Sequence, residues 1–168
     1  MTAQIDERIE KAFDLVRDPS RWPAATTDQL LEILHSFSEW LGSNYSEERF
    51  EEFRPFYWHI AERTTADQRL GVLLSLAEEV EFSDLGPVSL LPFLCADEDT
   101  KVISTAAMNL AVLIPPMDGD PLSGPKYILE GLDTCDTENS LVGNLQGVLL
   151  LGDCRVLPLL DRCWERLG

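Results

Sequence analysis

Three glycines and three prolines recur at one interval in the second half of the chain, and that recurrence limits the fold more than any other feature. Gly86, Gly119 and Gly152 stand 33 residues apart, and so do Pro92, Pro125 and Pro158. The segments read Gly86-Pro87-Val88-Ser89-Leu90-Leu91-Pro92, Gly119-Asp120-Pro121-Leu122-Ser123-Gly124-Pro125 and Gly152-Asp153-Cys154-Arg155-Val156-Leu157-Pro158. A glycine suits the left-handed residue that closes a helix, and a proline suits the first turn of the next, where its missing N–H has no partner to lose. A period of this length marks stacked helix pairs.

The spacing inside each unit agrees. A short helix runs from Pro92 to about Ala96, the acidic turn Asp97-Glu98-Asp99 follows, and Asp99 or Thr100 caps a second helix. The apolar face of that helix is Val102, Ala106, Leu110 and Leu113. The next unit carries Tyr127, Ile128 and Leu132, the turn 133–136, then Leu141, Leu145, Val148 and Leu149. A last helix spans 157–167, with Leu160, Cys163, Trp164 and Leu167 on one side.

These residues resemble HEAT repeats of the short bilin-lyase type. Leu151-Gly152-Asp153-Cys154-Arg155-Val156-Leu157-Pro158-Leu159-Leu160 is similar to that family's junction of Leu-Gly-Asp-x-Arg-x-x-Pro-x-Leu. The run Leu91 to Leu94, then Asp99, Val102, Ala106, Ala107, Leu110 and Leu113, follows its helix pair, with Ile103 where the family carries arginine. The resemblance spans residues 86–168. It implies an all-α fold, an α-solenoid of antiparallel helix pairs, and leaves function open, because this fold hosts adaptors, scaffolds, lyases and other enzymes.

The first half, residues 1–85, is helical without a visible period. Ile5, Ile9, Phe13 and Val16 form one face, and Asp18 to Pro23 breaks the chain. Thr27 is placed as the cap of a second helix with Leu30, Leu31, Leu34, Phe37, Trp40 and Leu41 inward, ending at Gly42-Ser43-Asn44. Ser46 caps a third helix bearing Phe50, Phe53, Tyr57 and Ile60, which Pro55 is expected to kink or split. Thr65 and Gln68 form a capping box for a fourth, with Leu70, Leu73, Leu74, Ala77 and Val80 inward. The expectation is one domain over 1–168 with 8 to 9 helices, and no run alternates as a strand would.

Charge narrows the function. The chain holds 30 Asp and Glu against 13 Lys and Arg, a net charge of −17. From Glu78 to Asp153 fourteen acids face only Lys101 and Lys126. Nucleic acid and anionic membrane need cations to bind them, so both are excluded as partners, and a basic protein is the complement. The acids at the helix ends and turns are the candidate partner-binding residues: Glu78, Glu79, Glu81 and Asp84, then Asp97, Glu98 and Asp99, then Asp133, Asp136 and Glu138. The acids Glu47, Glu48, Glu51 and Glu52, at a helix start, read as a solvated face favoured by the dipole.

No catalytic or metal-binding set emerges. His35 and His59 are the only histidines, and both are expected to be hydrogen-bonded or half-exposed residues of aromatic-rich helices. Cys95, Cys135, Cys154 and Cys163 have neither zinc nor redox spacing. Asp118-Gly119-Asp120 opens like a calcium loop, yet Ser123 and Leu129 replace the required glycine and glutamate. No cofactor is expected. Without a basic leader, an apolar start or a span of about 20 apolar residues, the chain is expected to be cytoplasmic, and monomeric when free. A small acidic helical stack resembles bacterial immunity proteins, which block a cognate toxin. The alternatives are a HEAT-like adaptor or scaffold and, behind it, a HEAT-like lyase.

Overall fold

The computed structural model describes the backbone of residues 2–113 and of Asp161 and Glu165, and side chains from residue 9 to residue 110, with Glu7, Asp161 and Glu165 in addition. Among these residues the regular structure is helical, with no strand. The second and third period marks, the turn 133–136 and the apolar face of the last helix lie outside the described residues. The chain divides into two compact units, Met1–Pro92 and Phe93–Gly168.

In the first unit α1 (Thr2–Val16) is followed by a 3₁₀ helix, η1 (Pro19–Ala24), then α2 (Thr27–Ser43), α3 (Glu47–Arg63), α4 (Ala66–Phe82) and a second 3₁₀ helix, η2 (Pro87–Leu90). The helices start where side chains replace the missing backbone partners. Thr26, and not Thr27, caps α2, because Gln29 is three residues on from Thr26 and closes the box. Thr26 Oγ1 accepts from the Gln29 N–H at 3.3 Å, and Gln29 Oε1 accepts from the Thr26 N–H at 2.9 Å. Ser46 caps α3, and Thr65 with Gln68 caps α4, as their spacing requires.

Helix α3 runs unbroken through Pro55, against the expected kink or split. Pro55 is exposed while Phe53, Phe56 and Tyr57 around it are fully buried. Three aromatic side chains, each worth about 1.5–3 kcal/mol or more on burial, hold both halves and offset the roughly 3 kcal/mol that an interior proline costs. Phe53 stacks on Phe37 of α2 with centroids 3.8 Å apart, and Phe13 of α1 meets Phe37 edge-on at 5.7 Å. α1, α2 and α3 therefore share one aromatic core.

Among the described residues of this unit Arg69 is the one buried cation, 5% exposed. Its Nη1 donates to the Thr64 carbonyl at 3.0 Å and the Ala61 carbonyl at 3.3 Å. It thereby satisfies the last carbonyls of α3 at the negative end of that helix dipole.

Gly86 has a function other than the one its period suggests. Its φ is −70° and its ψ 144°, ordinary extended backbone, and α4 already closes at Ser83. Glycine is required by contact: a Cβ here would lie 2.3 Å from the Gly42 carbonyl oxygen. A Cβ on Gly42 would in turn meet the Gly86 oxygen at 2.9 Å. Ser38, one turn before Gly42, and Ser89 of η2 are both fully buried, so a seam of small residues lets α2 touch the backbone that follows α4.

In the second unit, α5 (Leu91–Cys95), which begins at the boundary, leads to α6 (Thr100–Leu113). Phe93, Leu94, Val102, Ile103, Ala106, Ala107 and Leu110 are all fully buried.

The two glycines that differ most in surroundings give a paired test. Gly86→Ala is expected to lower stability by about 1–3 kcal/mol through overpacking. Gly71→Ala, where nothing lies within 4 Å of the new methyl, is expected to raise it by up to about 1 kcal/mol through helix propensity. Urea midpoints of the two variants check both signs.

Candidate interaction surface

The acids singled out by the sequence divide into three groups once their partners are known. Glu78, Glu81 and Asp84 are exposed at the end of α4 and just beyond it. Glu79 instead turns to α2, where its Oε1 lies 3.0 Å from His35 Nε2. A carboxylate only accepts, so Nε2 carries the donated hydrogen. His35 Nδ1 is 4.0 Å from Glu39 on its other side. Glu79 is thus a clamp between α2 and α4, and its carbonyl also accepts from the Ser83 N–H and hydroxyl.

Asp97 is the correction in the second unit. It is 1% exposed, and its Oδ1 accepts from the Asp99 N–H at 2.8 Å, which folds the turn on itself. A residue so placed shapes the turn and offers no surface charge. Asp99, half-buried, caps α6 by accepting from the N–H of Lys101 at 2.9 Å. Of this trio only Glu98 is exposed. Asp133, Asp136 and Glu138 lie outside the described residues.

Of the four acids at the start of α3, Glu47 and Glu48 are exposed, while Glu51 and Glu52 are more engaged than a solvated face. Glu52 accepts from Arg17 Nε at 2.6 Å and from Arg49 Nη1 at 2.9 Å, and both guanidinium groups lie over the Phe13 ring, at 5.2 and 5.0 Å. The bond from Arg17 is the main cause holding the Glu52 carboxyl below its ordinary pKa, with Arg49 adding to it and burial opposing. Glu51 pairs with Arg54 at 2.8 Å, and Lys11 pairs with Glu7 at 3.2 Å.

Sequence reading missed the apolar side chains left outside. Leu74, assigned inward, is 52% exposed, and Phe82 is 77% exposed, while Leu76 is fully buried in Leu74's stead. Glu78 and Glu81 stand four and seven residues after Leu74, on the same helical face, and that spacing was the available signal. The exposure of Trp58 on α3, 48%, was not missed, because its place between the inward Tyr57 and Ile60 signals that it or His59 points elsewhere; His59 turns to Trp22, 5.4 Å away.

A groove of about 680 Å³ lies between α1, η1 and α2, lined among others by Leu15, Arg21, Ile33 and Ser36. It is separate from the acidic face. Among the described residues no cluster of three or more potential ligand side chains could hold a metal ion, and no helix is long and apolar enough to cross a membrane. No family model, curated protein or solved structure matches the chain.

Two outcomes test these placements. Asp97→Ala is expected to cost about 1 kcal/mol, because the half-buried Asp99 N–H loses its acceptor, whereas Glu98→Lys stays within about 0.5 kcal/mol of the unaltered chain. For Glu52 the folded pKa is depressed, so its contribution is present above the unfolded carboxyl value and is lost as pH falls through the folded one. Glu52→Gln should therefore be less stable than the unaltered chain at neutral pH and equal to it in acid, as read from urea midpoints along a pH series.

Proposed function

We propose that the chain is a non-catalytic binding module that sequesters or neutralises a basic protein, most specifically as an immunity protein against a cognate bacterial toxin. In this reading it is a cytoplasmic α-solenoid of antiparallel helix pairs, monomeric when free, with no cofactor. The observation that carries the reading is the distribution of charge. Residues 70–100 contain seven carboxylates and no Lys, Arg or His. The last cation before them, Arg69, is buried as a cap on α3.

Most cations described in the first unit are already committed, Arg17 and Arg49 to Glu52, Arg54 to Glu51 and Lys11 to Glu7. The exposed Glu78, Glu81 and Asp84 lie in this stretch, which supplies no cation of its own. Like charges gathered at the negative end of a helix dipole cost the free protein stability, and a cationic partner relieves that cost on binding. Complementary fields of this kind raise association rates by about 10- to 1,000-fold at low salt. Toxins that act on nucleic acid are basic for the reason that excludes nucleic acid as a partner here, and they are the natural recipients of such a surface.

The test is genetic and direct. The reading frame next to the gene for this chain is expressed alone and together with it. Lethality alone with survival on co-expression is the expected result. Lethality that co-expression does not relieve, or a harmless neighbour, overturns the immunity reading and leaves an adaptor.

A further inference from the structure

We propose that the outer face of α4 is the docking surface for a basic amphipathic helix of the partner. The inference rests on the reading of the chain as a binder of a basic protein and adds the element and the mode of contact. Asp67, Gly71, Leu74, Glu78 and Phe82 follow one another at helical spacing, with Glu81 on the same side, and every one of them is exposed. The opposite face, Arg69, Leu70, Leu73, Leu76 and Ala77, is buried. α4 therefore has a complete inner face and a second, outward one that carries two large apolar side chains among acids.

Three features fix the occupant. Leu74 and Phe82 are eight residues apart, about 12 Å along the axis, which is the interval between apolar side chains two turns apart on a helix laid alongside. Gly71 leaves a notch, since no atom lies within 4 Å of where its Cβ would be. A notch of this kind lets a ridge of the partner helix approach closely. Glu78, Glu81 and Asp84 then flank the apolar pair and meet Lys or Arg on the edges of the incoming helix. An extended strand finds no purchase, because the backbone groups of α4 are spent within the helix. Anionic lipid and nucleic acid are repelled by the same carboxylates.

The chain itself is a poor occupant. Residues 93–168 carry twelve Asp and Glu against five Lys and Arg, and a second copy brings the full −17. Either would set acid against acid.

The experiment uses the full chain and three labelled peptides of roughly 18 residues, five helical turns. One is a Leu/Lys peptide with its leucines on one helical face, one is an isomer of the same composition with the leucines scattered, and one is oligolysine. Fluorescence anisotropy is expected to show the amphipathic isomer binding about tenfold or more tighter than the scattered one. Leu74→Ser with Phe82→Ser should erase that preference while oligolysine binding persists. Glu78→Lys with Glu81→Lys should weaken all three peptides and flatten the salt dependence. In the unaltered chain the Leu74 methyl resonances should shift on titration with the amphipathic peptide, a readout that does not require the variants to fold. Equal affinity for the two isomers, a preference that survives the double serine variant, or unshifted Leu74 methyls overturns the α4 face and leaves the electrostatic reading standing. Failure of all three peptides to bind at low salt overturns both.

Discussion

Helix α2 meets α1, α3, α4 and η2, and at one place it meets its neighbour backbone against backbone, the Gly42 carbonyl against Gly86. That contact tolerates no side chain on either partner. It brings the segment after α4 onto the last turn of α2, and the neighbouring positions Ser38 and Ser89 are correspondingly small. On the other side of α2, Phe37 stacks on Phe53 and meets Phe13, so large rings fill the space where the helices stand apart. One helix thus presents a small-residue seam and an aromatic face, and the elements of the first unit arrange themselves by which of the two they fit.

Charge is placed by the same logic. Cations are spent on internal tasks: Arg69 on the carbonyls that end α3, Arg17 and Arg49 on Glu52 and the Phe13 ring. Carboxylates near those cations become structural, as does Glu79 beside His35. Asp97 is buried against a backbone N–H of its own turn, whereas Glu78 and Glu81 stay on the outside of α4 and share their face with Leu74 and Phe82. Exposed apolar side chains framed by one sign of charge give a surface both shape and electrostatic preference, which a uniformly polar face lacks.

Local rules were legible in the residues themselves. The caps at Ser46 and Thr65, the end of α2 at Asn44, the break at 18–23 and the cap at Asp99 depend on neighbours within four positions, and sequence spacing specifies such neighbours completely. The expected cap at Thr27 was a local misreading, since Gln29 lies three residues on from Thr26 and not from Thr27. Elsewhere a distant residue decides: the cost Pro55 imposes on α3 was offset because the core buries that helix's own Phe53, Phe56 and Tyr57. Leu74 and Leu76 exchanged places because α4 is covered from more than one direction, which a single apolar stripe does not reveal.

The sequence alone determined the helical class of the described residues, their boundaries and the acidic character of the chain, since these follow from propensity, capping and composition over short distances. Only tertiary structure decided what each charged or small residue is for. Gly86 is a glycine because a carbonyl from α2 lies where its side chain would be, Asp97 is buried in its own turn, Glu79 is held by His35, and Glu78 and Glu81 are left facing outward. Those distinctions depend on which atoms arrive from elsewhere in the chain, and residue type and spacing do not carry that information.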